Sequence, residues 1–139
     1  MGGKCWNEQG TILAYQISHK GSDWRTIKFR RADGTDLDDS IENVRYSCLD
    51  WNKNGDGIIY NAYKQEGVTD GSETTANKNQ LLFFHKLGDK QENDIQIGCY
   101  PQDPDMFVRA EYSQCQEYLI RGLNKGCAIE NPVHIYKVK

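Results

Sequence analysis

The stretch that most constrains the fold is residues 103–126, DPDMFVRAEYSQCQEYLIRGLNKG, because all its local signals agree on a helix. The Asp103 side chain can accept from the free amides of a first turn, and Pro104 then takes the first helical position, where its missing N–H is not needed. Asp105 places negative charge near the positive end of the helix dipole. Val108, Tyr112, Cys115, Leu119 and Leu123 recur at helical spacing, Phe107 and Ile120 widen the stripe, and Asn124 or Gly126 ends it.

The rest of the chain reads mainly as strands that such a helix could cover. Residues 11–18 alternate, with Leu13, Tyr15 and Ile17 on one face. After a turn at 19–22, residues 24–31 form a second strand with Ile27 and Phe29 inward, so the pair predicts an antiparallel hairpin. Thr35 with Asp38 resembles a capping box, and Leu37, Ile41, Val44 and Cys48 follow at helical spacing. A short helix is expected over 36–46, with a strand over 44–49 as the competing reading. Residues 52–57 are a tight turn and 58–63 a strand. Residues 65–80 are a long polar loop. Residues 81–87 are apolar on both faces, as in a strand covered on both sides. Strands at 94–100 and 133–138 complete the pattern.

The expected architecture is therefore α+β: a single domain over 1–139, a mostly antiparallel sheet, one long C-terminal helix packed on a face, and the short helix at 36–46. The alternative is an all-β barrel or trefoil, reached if residues 106–112, which also alternate, form a strand.

Composition bounds the function. The chain has 139 residues and a net charge of −3, against a general nucleic-acid binder, and no apolar run approaches membrane-spanning length. Its five cysteines, Cys5, Cys48, Cys99, Cys115 and Cys127, show no CxxC spacing. The odd, scattered count favours reduced thiols in a cytoplasmic protein, with two disulfides in a secreted domain as the alternative.

Candidate chemistry is sparse. Cys5 with the late His134 could supply a thiolate and its base, but no third residue is evident. Asn52, Asn54, Asp56 and Gly57 partly match a calcium loop, yet position twelve is Tyr63 where a glutamate is needed, so a hairpin turn accounts for them and no metal is expected. The acidic group Asp33, Asp36, Asp38, Asp39 and Glu42 suits a helix start better than catalysis. His85, on the doubly apolar strand, reads as a core histidine satisfied by the backbone. The best binding surface is Trp24, Lys28 and Arg30 with Trp51, since aromatic and arginine side chains dominate binding hot spots. The competing reading is a solvated strand face whose cations pair with nearby aspartates. No nucleotide or metalloprotease motif is present, and no cofactor is expected.

These observations support a small non-enzymatic binding protein, such as an inhibitor, immunity-type protein or effector, with a protein partner. A small hydrolase or ribonuclease-type toxin using histidine with an acid, or Cys5, is the runner-up. A carbohydrate-binding module is the third reading.

Overall fold

The computed structural model describes residues 3–63 and 78–138, so most of the 65–80 loop lies outside the described residues. Among the described residues the chain forms ten strands: β1 (Lys4–Trp6), β2 (Ile12–Ser18), β3 (Arg25–Arg31), β4 (Asp36–Trp51), β5 (Gly57–Ala62), β6 (Leu81–Lys86), β7 (Ile95–Gly98), β8 (Phe107–Tyr112), β9 (Tyr118–Asn124) and β10 (Val133–Lys137). A 3-10 turn at Gln91–Asn93 precedes β7. Strands β1 to β7 pair antiparallel in sequence order, and β8 to β10 form a second antiparallel sheet.

The long strand β4 serves two units. From Asp36 to Val44 it pairs with β3, and from Val44 to Trp51 it pairs with β5. Between these halves Asn43 and Tyr46 take positive φ (60° and 50°), which breaks the alternation and lets the strand change direction. β1, β2, β3 and the first half of β4 thus make a first four-stranded unit. The second half of β4 with β5, β6 and β7 makes another, and β8 to β10 make a third.

The units stack face to face. Ala14, Ile27, Phe29 and Ile41 of the first meet Val44, Trp51, Ile58 and Tyr60 of the second in one buried cluster. On the opposite face of the second unit, Ile59 and Leu82 meet Val108, Ala110 and Leu123 of the third. Successive β5 side chains therefore enter different cores, which is why Gly57–Asn61 is buried without a break. β6 divides likewise, Phe83 joining the first cluster and Leu82 and Phe84 the second.

The α+β expectation fails here. Residues 103–126 are not a helix. Asp103 does accept a nearby amide, that of Asp105, and the Met106 N–H donates to the Asp103 carbonyl, so the capping chemistry closes a turn. The chain then extends as β8, reverses at residues 113–117 with Gln116 at φ 60°, and returns as β9, Phe107 opposite Asn124 and Tyr112 opposite Leu119. A spacing of four residues puts side chains on one face in a helix and in a strand alike, so Val108 with Tyr112 and Leu119 with Leu123 fit either. The helix at 36–46 is also strand, the first half of β4. Ile41 and Val44 both point inward, three residues apart, because Asn43 switches the face between them. Nor is a barrel or trefoil formed: the two sheets are open and stack by their faces.

Candidate functional site

The inner margins of the three units, β1, the second half of β4, and β8, lie beside one another without a sheet ladder between them. Side chains join them instead. Gln16 donates from Nε2 to the Ser47 carbonyl at 3.2 Å, and Trp51 Nε1 donates to the Cys5 carbonyl at 3.2 Å, tying the first unit to the second. Asn61 donates from Nδ2 to the Val108 carbonyl at 2.8 Å and accepts the Cys48 N–H on Oδ1 at 3.0 Å. Gln80 donates to the Tyr46 carbonyl at 3.2 Å and accepts the Val108 N–H at 2.8 Å. Asp50 accepts the Tyr112 N–H at 2.6 Å. Gln16, Asn61 and Gln80 are buried, and each meets its hydrogen-bonding need on a neighbouring strand.

An open groove runs along this margin and is lined by Lys4, Tyr46, Asp50, Phe107, Arg109 and Glu111 among others. Tyr46 is half-exposed and meets the Phe107 ring edge-on at 6.0 Å. Beside it the Arg45 guanidinium lies 5.3 Å from the Trp24 ring and 5.0 Å from the Tyr46 ring, and pairs with Asp23 at 3.0 Å. Burial pushes the Asp50 carboxyl pKa up, partly offset by the amides of Tyr112 and Trp51. Cys48, which also lines the groove, has its thiol pushed up to about 11 chiefly by burial. The groove thus offers aromatic surface and both signs of charge, with a thiol that stays protonated at neutral pH.

At the outer rim a second polar network crosses from the first unit to the second. The His85 imidazole is fully buried. Its Nδ1 lies 2.7 Å from Asp94 Oδ1, and its Nε2 lies 3.2 Å from both oxygens of Asp39. The Tyr60 hydroxyl donates to Asp94 at 2.7 Å, and the Gly88 amide donates to Asp39 at 2.6 Å. Burial alone would push the His85 pKa down, but the hydrogen bonds to Asp94 and Asp39 outweigh it and the net direction is up. The core histidine expected from sequence is therefore satisfied by two carboxylates rather than by the backbone.

The four residues of the expected binding surface do not converge. Trp51 is buried at 2% exposure, edge-on to Phe29 at 5.8 Å in the core between the first two units. It cannot line a surface, because its inward position in β4 commits the indole to that core. Trp24 is half-buried under Arg45, whereas Lys28 and Arg30 are exposed on β3, with Arg30 paired to Asp36 at 2.6 Å. Cys5 and His134 do not meet either: Cys5 is in β1, its thiol pushed up to about 12 mainly by burial, while His134 in β10 accepts from Arg121 at 2.7 Å. Of the other histidines, His19 is exposed beyond β2 and His85 is enclosed. Asn52 spends its oxygen on the Asp56 and Gly57 amides and its nitrogen on Asp56, closing the turn as a hairpin would. Among the described residues no cluster of three or more histidine, cysteine or acidic side chains could hold a metal.

Sequence reasoning missed the residues that join the units. Gln16 lies in an alternating strand where a polar residue normally faces water, Asn61 ends an apolar run, and nothing local marks Asp39 and Asp94 as partners of His85.

Comparison with known proteins fits this stack of antiparallel units. The prolyl endopeptidase of Elizabethkingia meningoseptica is 33% identical over 83% of this chain and 16% of its own length. That of Dictyostelium discoideum is 26% identical over 94% of this chain and 21% of its own length. Among solved structures, one from a study of two prolyl endopeptidases superposes with a TM-score of 0.85 at 29% identity, covering 99% of this chain and 19% of that one. The chain thus spans about a fifth of the length of the relatives it matches. The three units are blades, and radial stacking of blades is how a propeller buries the faces of small sheets. These matches overturn the expectation of a small non-enzymatic binding protein, and they replace its ribonuclease-type and carbohydrate-binding alternatives. The match to the description "Prolyl oligopeptidase, N-terminal beta-propeller domain" runs over residues 1–139, and the chain belongs to that family.

Proposed function

We propose that this chain is a three-blade wedge of the propeller of a longer prolyl peptidase, and that it supports peptide cleavage by a domain carried elsewhere in that protein. The observation that carries this reading is the family match along the whole chain. The chemistry of the wedge agrees with it. Its partly buried thiols Cys5 and Cys48 are held protonated, and its buried histidine is engaged by two carboxylates, so none of these three offers a free nucleophile or base for peptide hydrolysis. In the related pair of prolyl endopeptidases, inter-domain dynamics were studied for their role in catalysis and specificity. By analogy, the partner of this wedge is a peptidase domain of the same protein, and the substrate a proline-containing peptide. A cytoplasmic location is part of the proposal, supported by five cysteines that are all unpaired. No helix among the described residues is long and apolar enough to cross a membrane.

The test is a graft. The matching segment of the Elizabethkingia meningoseptica prolyl endopeptidase is replaced by this chain, and kcat/KM is measured on a proline-containing peptide. The graft is expected to keep activity within about tenfold, a barrier change of roughly 1.4 kcal/mol. The 139-residue chain alone is expected to show no turnover. A graft that melts cooperatively yet cleaves nothing would contradict the proposal, as would hydrolysis by the chain alone.

A further inference from the structure

We propose that a single proton, held between Asp39, His85 and Asp94, bolts the outer rim of the first blade to the second, and that its loss as pH rises loosens that rim. Each ring nitrogen of His85 faces a carboxylate at hydrogen-bonding distance. A neutral imidazole has one N–H, so it can satisfy only one of them. Both contacts are donor–acceptor bonds only when the triad carries an extra proton. The carboxylates are almost as enclosed as the ring, with side-chain exposures of 6% for Asp39 and 3% for Asp94. Water therefore cannot take the place of a missing partner.

The triad spans a seam. Asp39 belongs to the first half of β4, the outermost strand of the first blade, while His85 is in β6 and Asp94 leads into β7 of the second. The groups facing the ring are few. β3 contributes the Phe29 ring, stacked at 6.0 Å and 16°, and no charge. β5 contributes the Tyr60 hydroxyl, whose hydrogen bond goes to Asp94. The connection from β6 to β7 brings Asp94 and, at longer range, Asp89, which feels the His85 charge.

When the proton leaves to hydroxide, the N–H that remains stays on Nδ1, where the bond to Asp94 is shorter by 0.5 Å than the 3.2 Å contact to Asp39. The Nε2 lone pair then faces the Asp39 carboxylate, and attraction becomes repulsion. Asp39 is left with the Gly88 amide, and the rim with the reciprocal pair between Glu42 and Gln91 (2.9 and 3.0 Å). The sign follows from the raised pKa of His85: the stabilisation is complete below the unfolded value of about 6.5 and is lost as pH rises through the folded value.

The test is an NMR titration of the 15N-labelled 139-residue chain, following the imidazole nitrogens of His85 with the amides of Gly88 and Glu42. Nε2 is expected to keep its proton to a higher pH in the folded chain than in the urea-unfolded chain. At higher pH, Nε2 should lose its proton with the same midpoint at which the Gly88 and Glu42 signals move. Asp39→Asn should lower that midpoint. A midpoint no higher than that of the unfolded chain, a transition that leaves both amides unmoved, or an unchanged midpoint in Asp39→Asn would each overturn the bolt. Should Asp39→Asn fail to fold, the wild-type titration decides alone.

Discussion

Asn61 has no exposure to solvent and uses both ends of its amide on neighbouring strands, donating to Val108 and accepting from Cys48. At this scale the fold rests on buried polar side chains as much as on apolar ones, because the inner strands of adjacent blades lack the ladder that would otherwise pair their backbones. Replacing Asn61 with alanine strands the Val108 carbonyl and the Cys48 amide in the interior. Each such orphan costs about 1–3 kcal/mol, so Asn61→Ala is expected to lower unfolding free energy by roughly 2–6 kcal/mol in a urea melt. A loss below about 1 kcal/mol would show that the amide does not join the blades. Asn61 could not be picked out beforehand. In sequence it is one polar residue at the end of an apolar run, and its partners lie 13 and 47 positions away.

Among the strands, legibility divided along the line between local and non-local order. The hairpin of β2 and β3 and the doubly covered β6 were readable, since their alternation or unbroken apolarity fits strand burial alone. β8 and β9 were not, because Val108 with Tyr112 and Leu119 with Leu123 fit both periods, and the Asp-Pro start opens a turn as well as a helix. β4 was misread as a helix over 36–46 because residues with positive φ, Asn43 and Tyr46, reset its inward face, whereas the competing strand at 44–49 falls within it. Close strand packing also sets a limit on β5. A side chain at Gly57 would run into the Phe84 ring and the His85 carbonyl, and Phe84 is packed in the core between the second and third blades. Gly57→Ala is expected to cost about 1–3 kcal/mol through this overpacking, read as a fall in Tm. An unchanged Tm would mean that β5 and β6 approach less closely than the structure has it.

Across the whole molecule the organising fact is repetition. Among the described residues two blades of four strands and a third of three stack through two apolar layers, with amide bridges at the inner margin and the Asp39–His85–Asp94 network at the rim between the first two. This level was the least legible. No residue pattern within one strand announces that β5 faces two cores, and the expected surface of Trp24, Lys28, Arg30 and Trp51 presumed a free face where Trp51 meets another blade. The candidate groove was likewise invisible, being made where separate blades meet. A three-blade stack also explains how a chain with 37% hydrophobic residues folds: two thin cores need few apolar side chains, and buried amides serve the rest.

NOE spectroscopy of the labelled chain distinguishes residues 103–126 as two strands of a blade stacked on β4 and β5 from a helix over a sheet. Cross-strand contacts between Arg109 and Gly122 are expected, with contacts from the Asn61 side-chain amide to Val108. Sequential helical contacts running from Phe107 to Leu123, with neither of these present, would contradict the two strands.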